Sequence, residues 1–214
     1  MAAVLRRKAA VMRIGIDFDN TLVNYDHVFL AAAKRHGLVD AVFDGPKRAV
    51  RDRIRLLPGG ELAWQRLQGY AYGAGIGGAT LFDGAAAFLR ECRAKGNEVF
   101  VISHKTPFGH HDPRRVDLHA AALDWMAAQG FFRPEGFGLA VERVFFESTR
   151  SAKLARIQGL GCTHFIDDLE EVFADPGFPE RVHKILFAEA GTLAGGAVCP
   201  TWQRIGEVVL DVWR

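Results

Sequence analysis

The hydrophobic pattern of the chain falls into short apolar runs separated by amphipathic stretches. The first run, Ile14 and Ile16 around Gly15, stops at Asp17-Phe18-Asp19-Asn20-Thr21. An apolar run that ends abruptly in charge reads as a buried strand with polar groups at its carboxyl end. Residues two apart in a strand point the same way. Asp17 and Asp19 are therefore expected to reach one pocket while Phe18 turns to the core. From Asp83 onward, strand and helix patterns alternate. Helices are predicted over Asp83–Lys95, Pro113–Gln129, Leu169–Ala174 and Pro200–Trp213, with a further one that carries Lys153 and is capped by Ser148 or Thr149. Strands are predicted over Val99–Ile102, Val144–Phe146, Thr163–Ile166 and Val182–Phe187. This alternation predicts an α/β fold, a parallel sheet with helices on both faces.

The stretch from Leu22 to Ala79 lacks strand signals. Val28–Arg35 and Gly60–Leu67 read as helices, and the whole reads as a small helical insert. Five basic residues, Lys47, Arg48, Arg51, Arg53 and Arg55, alternate with Val50, Ile54 and Leu56. They are expected to form a solvated face, or else to turn some of their charges to a pocket and hold a second anionic group of a ligand. Gly69–Gly78 is expected to be a flexible hinge or substrate loop. Gly73, Gly75 and Gly78 match G-x-G-x-x-G, but a helix precedes them where a dinucleotide site needs a strand.

Composition narrows the classes. The chain of 214 residues is 49% hydrophobic and 24% charged, ordinary for a globular protein. A net charge of +2 gives no reason to expect nucleic acid or a membrane as partner. Cys92, Cys162 and Cys199 are odd in number and widely spaced, which predicts reduced thiols and a cytoplasmic location. Arg6, Arg7 and Lys8 look like the start of a signal segment, but no apolar stretch follows. Residues 1–11 are expected to be a loose arm, and Met12 is an alternative start.

Four predicted strand ends carry polar groups: Asp17 with Asp19, Ser103, the segment leading to Lys153, and Asp167 with Asp168. In a parallel sheet such ends converge on one edge. Four carboxylates in one pocket repel, each like-charged pair at 4 Å by about 4 kcal/mol at an effective dielectric of 20. One lysine does not neutralise them, so a divalent cation is expected.

This ordered set resembles the haloacid dehalogenase-like hydrolase superfamily. Asp17-Phe18-Asp19-Asn20-Thr21 corresponds to its first motif, Ser103 after Val-Phe-Val-Ile to its second, Lys153 to its third and Asp167-Asp168 to its fourth. The resemblance implies a Rossmann-like core over residues 1–22 and 80–214, with a small helical cap over 23–79. It implies that Asp17 attacks phosphorus, Asp19 serves as acid and then base, Ser103 holds phosphoryl oxygens and Lys153 offsets negative charge. Asp17, Asp19, Asp167 and Asp168 would hold Mg²⁺, Asp19 through its main-chain carbonyl. Thr21, His104 and Lys105 are the expected substrate contacts. Members that displace halide lack an acid at the position of Asp19, so the resemblance is to the phosphatase branch.

The expected partner is a small phosphate ester, a nucleotide or a sugar phosphate. A phosphatase of polynucleotide ends or phosphoproteins and a non-catalytic binding module are the alternatives. Tyr25, Phe29, Trp64, Tyr70 and Tyr72 read equally as base-stacking groups or core aromatics. His104, His110, His111 and His119 with Asp112 invite a zinc reading, but the adjacent His110 and His111 would tend to diverge, and no helical His pair at four-residue spacing with a nearby third ligand stands out.

Overall fold

The computed structural model describes residues 11–112 and 114–212. The expected N-terminal arm (Val11 apart), Pro113 and Trp213 lie outside the described residues. In chain order the elements are β1 (Arg13–Ile16), β2 (Val23–Asn24), α1 (Asp26–Arg35), α2 (Lys47–Arg55), α3 (Gly60–Tyr72), β3 (Thr80–Leu81), α4 (Ala85–Ala94), β4 (Glu98–His104), α5 (Leu118–Ala128), β5 (Val144–Glu147), α6 (Arg150–Gly159), β6 (His164–Asp167), α7 (Glu170–Phe173), β7 (His183–Phe187), β8 (Gly196–Cys199) and α8 (Trp202–Leu210).

Six strands form one parallel sheet in the order β5-β4-β1-β6-β7-β8. Its two faces can be read from the alternation of side chains. Val99, Val101, Ile166 and Ile185 join Ile14 and Ile16 in one apolar cluster with Phe88, Trp125 and Trp202. Phe100, Ile102, Phe165 and Leu186 point the other way, against Leu154, Ile157 and Phe173. Gly15 lies on this second face, and a Cβ there would sit 2.6 Å from the Phe165 ring. The glycine thus lets an aromatic from β6 lie across β1.

The chain leaves β1, builds β4 and β5 on one side, and returns to build β6 on the other. This reversal beside β1 is the switch point at which open α/β sheets form a crevice beyond their carboxyl ends. The closing helix tightens that end, because the buried Trp202 donates its indole N–H to the Thr21 carbonyl at 3.0 Å.

Several elements differ from the pattern-based expectation. Helix α5 starts at Leu118, because Asp117 accepts from the backbone N–H groups of His119 and Ala120 and so sets the helix start. Strand β8 was hidden in a Gly-rich stretch, and its pairing with β7 is what makes it a strand. The basic stretch folds as helix α2, with Val50 and Ile54 buried at helical spacing. Gly69–Tyr72 continues α3, so the expected glycine loop shrinks to Gly73–Ala79 with a single 3₁₀ turn.

Helices α1, α2 and α3 lie between β2 and β3, which pair antiparallel through Val23 with Leu81 and Asn24 with Thr80. The helical segment therefore leaves and rejoins the sheet through a two-stranded neck. Phe29 of α1 stacks on Trp64 of α3 at 4.9 Å and meets Tyr72 edge-on at 5.7 Å. Among the described residues no helix is long and apolar enough to cross a membrane.

Candidate active site

Strand β1 ends in a tight turn that sorts its side chains. The Asp17 amide still bonds the Ile166 carbonyl at 2.9 Å, whereas the Phe18 carbonyl already accepts from Leu22 and Val23. Asn20 adopts φ +62°, the left-handed region that Asn tolerates better than most residues. Phe18 is buried edge-on against Trp125 and Phe146 at 5.8 and 6.0 Å. Asp17 and Asp19 both face a cavity of about 200 Å³, which Asn20, Tyr72, Ser103, His104, Arg150, Lys153 and Asp168 also line.

Lys153 is fixed by helix α6, which Thr149 caps by accepting from the Ala152 amide. Its buried ammonium donates to Asp17 Oδ1 and to Asp167 Oδ2, each at 2.6 Å. Arg150, one turn earlier, pairs instead with Glu171 at the cavity mouth. Burial alone would lower the Lys153 pKa, but Asp17 and Asp167 outweigh it and hold the group charged.

Oxygens of Asp17, Asp167 and Asp168 lie within 4.8 Å of one another. Burial first, and the Asp17 charge second, push both Asp167 and Asp168 well above the usual carboxylate range. The two acids differ in their freedom. Asp167 is fully buried, with Oδ1 on the Leu169 amide and Oδ2 on Lys153. Asp168 faces the cavity, and among the described residues its Oδ1 alone is held, by the Thr21 hydroxyl at 3.2 Å. Three converging carboxylates with an excess of negative charge fit a hard divalent cation such as Mg²⁺.

The other expected residues are placed as follows. Ser103 is buried at the end of β4 and lines the cavity. His104 also lines it, with Nε2 3.1 Å from the Ser148 carbonyl oxygen. Thr21 is fully buried and holds Asp168 from behind, its Oγ1 also accepting from the Asp168 amide at 3.1 Å. Lys105 is buried and does not line the cavity. It donates to Asp19 Oδ2 at 2.6 Å, while His119 holds its carbonyl at 2.8 Å. The other Asp19 oxygen accepts from the Tyr25 hydroxyl at 2.6 Å. Burial and Asp19 keep the Tyr25 phenol well above its ordinary pKa, so it remains a donor.

Lys105 corrects the charge balance read from sequence. A second buried ammonium, on Asp19, joins the one that Asp17 and Asp167 share. Tyr25 and Tyr72 each engage a polar partner through the hydroxyl, Asp19 and Lys47 respectively. Their role was not legible in the pattern, which marks them only as aromatics. His119 stacks on Phe146 and holds the Lys105 carbonyl, and it belongs to no cluster of candidate metal ligands among the described residues.

No protein-family model matches the chain, and no curated protein matches it in sequence. Solved structures do match in fold. A haloacid dehalogenase-like family hydrolase from Streptococcus pneumoniae superposes with a TM-score of 0.53 at 15% identity, covering 87% of each chain. A HAD family hydrolase from Deinococcus radiodurans R1, solved with bound phosphate and sodium, gives 0.54 at 16% identity over 94% of this chain and 96% of its own. A predicted phosphoglycolate phosphatase from Haemophilus somnus 129pt gives 0.51 at 14% identity over 97% and 100%. A dehalogenase is also among the matches, at 0.52 and 10% identity. Six parallel strands in this order, with the acidic turn at the switch point, give the chain the haloacid dehalogenase-like fold.

Proposed function

We propose that the protein is a Mg²⁺-dependent phosphatase of small phosphorylated metabolites, working through an aspartyl phosphate. The observation that carries this reading is the Lys153 ammonium bridging Asp17 and Asp167 at 2.6 Å, with Asp19 two residues on, reaching the same cavity. Asp17 and Asp168 would hold the ion directly, with Asp167 completing the cluster and the Asp19 main-chain carbonyl as a further ligand. The ion would neutralise charge on the transferring phosphoryl group.

The residues of the chain divide the remaining work. The free Asp17 oxygen attacks phosphorus and the bond to the ester oxygen breaks, leaving a phosphoryl group on Asp17. Asp19 gives its proton to the departing oxygen and then takes one from the water that attacks phosphorus and frees Asp17. Ser103 hydrogen-bonds a phosphoryl oxygen. Lys153 orients Asp17 and offsets its charge, Thr21 positions Asp168, and Tyr25 with Lys105 orients Asp19. Halide displacement needs no such acid, so Asp19 favours phosphoryl transfer over the dehalogenase chemistry named for one structural neighbour. A cavity of about 200 Å³ suits a small ester better than a polynucleotide end or a phosphoprotein.

Phosphate release from a panel of sugar phosphates, nucleotides and an aryl phosphate tests the reading. Release should require Mg²⁺, stop with EDTA, and fall at least about 10⁴-fold in Asp17→Asn. Release that survives Asp17→Asn would remove the nucleophile, and no release from the whole panel would turn the reading toward a binding module.

A further inference from the structure

A second cavity, of about 750 Å³, shares no lining residue with the acidic one. Helix α3 stands between them. Residues two apart on a helix point nearly opposite ways, and Tyr72 lines the acidic cavity while Tyr70 lines the other. Helices α1 and α3 form one wall of the second cavity, and the loop between β4 and α5 forms the facing wall. That loop lies directly on α3 because both carry a glycine at the contact. A Cβ on Gly109 would fall 2.7 Å from the Gly69 Cα, and one on Gly69 would fall 2.9 Å from the Asp112 Cβ.

Three guanidiniums reach this cavity from three parts of the chain: Arg35 at the end of α1, Arg66 in α3 and Arg114 in the loop. Arg35 Nη1 donates to the Tyr70 hydroxyl at 3.2 Å. The guanidinium carbons of Arg35 and Arg114 lie 5.9 and 5.3 Å from the centroid of the same tyrosine ring. Asp112 is the one acid that lines the cavity. Its Oδ1 accepts from the Arg114 amide at 3.1 Å and from Arg114 Nε at 3.4 Å, while its Oδ2 is buried without a partner among the described residues. A guanidinium carries five N–H donors and is always charged. Arg114 thus keeps its terminal nitrogens free, Arg35 keeps all but one nitrogen, and Arg66 has no ion pair or hydrogen bond among the described residues. The basic stretch of α2 plays no part here. Arg51 pairs with Asp52 and Arg55 with Glu61, and the Lys47 ammonium bonds Asn20 and Tyr72 beside the acidic cavity.

We propose that this cavity is a second ligand site, for an organic polyphosphate of nucleotide size. Guanidinium forks suit phosphoryl oxygens, and three of them against one carboxylate call for a ligand with at least two negative charges. Leu38, Ala63 and Leu67 line the same cavity and give the organic part an apolar wall. Inorganic phosphate would leave most of the volume unfilled, whereas cavities of about 300–1,000 Å³ hold medium-sized organic ligands. A molecule bound there would touch α1 and α3 on one side and the loop after β4 on the other. It would therefore tie the helical segment to the sheet domain. None of the acidic residues takes part, so the proposal stands apart from the phosphatase reading.

Calorimetry in EDTA tests the site with ATP and tripolyphosphate as probes. Without a metal ion the carboxylates of the acidic cavity repel polyanions, so that cavity does not compete. ATP should bind the wild-type protein about tenfold or more tighter than tripolyphosphate, which has the charge without the organic body. Arg35→Gln and Arg66→Gln alter exposed side chains and should each weaken ATP about tenfold, the scale of a hydrogen bond to a charged group. Arg53→Gln removes the same charge from an exposed position on α2 outside the cavity, and should leave the affinity unchanged. Equal binding of the two probes, equal losses in Arg53→Gln and Arg66→Gln, or no binding of ATP at all would each overturn the site.

Discussion

Lys153 and Lys105 invite a side-by-side reading. Both are buried, and both hold a carboxylate of the same β1 turn at 2.6 Å. Lys153 bridges two acids at the carboxyl ends of neighbouring strands, Asp17 just after β1 and Asp167 at the end of β6. Lys105 holds one, in company with the Tyr25 hydroxyl and the rings of Phe18 and Tyr72. Similar ion pairs thus support different tasks. In the proposed mechanism the first would hold the nucleophile beside the acids for the ion, and the second would fix the direction of the general acid. What separates them is the number of charges each lysine must answer.

The largest expected difference follows from removing Lys153. Lys153→Met leaves Asp17 and Asp167 buried without their cation, and breaking a buried pair in this way costs about 3–5 kcal/mol. Denaturant unfolding in EDTA should show that loss, and added Mg²⁺ should recover part of it. Phosphate release should fall by about 10³-fold or more. A stable, active variant would show that the lysine is replaceable by the ion.

Lys105→Met should act more narrowly. An oriented general acid is worth about 10²–10⁴-fold, and the loss is greatest where the leaving group is a poor one. Turnover of an alkyl phosphate should therefore drop about 10²-fold, and that of an activated aryl phosphate much less. Equal losses on both esters would erase the distinction between the two lysines.

Gly15→Ala probes the sheet beneath both. The added Cβ meets Phe165 at 2.6 Å and the Cys162 sulfur at 3.2 Å. Overpacking of this kind costs about 1–3 kcal/mol. The midpoint of urea unfolding should fall, and Phe165→Leu in the same chain should restore much of it.

The smallest effect concerns His164, at the opposite end of β6 from Asp167. Burial first and His183 second hold its imidazole down to about 4 from 6.5. Between those values the unfolded chain binds more protons than the folded one, so stability declines as pH falls through that window. His164→Gln should flatten this slope in unfolding curves recorded from pH 7 to pH 4. A slope that persists unchanged would assign it to other groups.

Much of the sheet was legible because apolar runs that stop at polar residues report a local property. Asp17, Ser103 and Asp167 each close such a run, and parallel strands bring those ends to one edge. Strand β8 was not legible, since Gly196–Cys199 becomes a strand only by pairing with β7. The start of α5 was misplaced because Asp117 outweighs a proline signal as the cap. Lys105 was read as a substrate contact because it follows Ser103, yet a partner 86 residues away decides where its ammonium points.

The sequence by itself determined the class of fold and the inventory of the chemistry: strand ends in order, an acid two residues after another, a lysine behind a capped helix. These follow from periodicity and from the directions that backbone geometry imposes on neighbouring side chains. Only the tertiary structure decided which charge answers which. Ion pairing depends on distances between elements, and the helices that deliver Lys47, Tyr72 and Tyr25 to the turn after β1 are set by packing across the neck of β2 and β3. Lys47, Lys105 and Lys153 are the same residue type in one line of sequence, and the folded chain gives each a different set of partners.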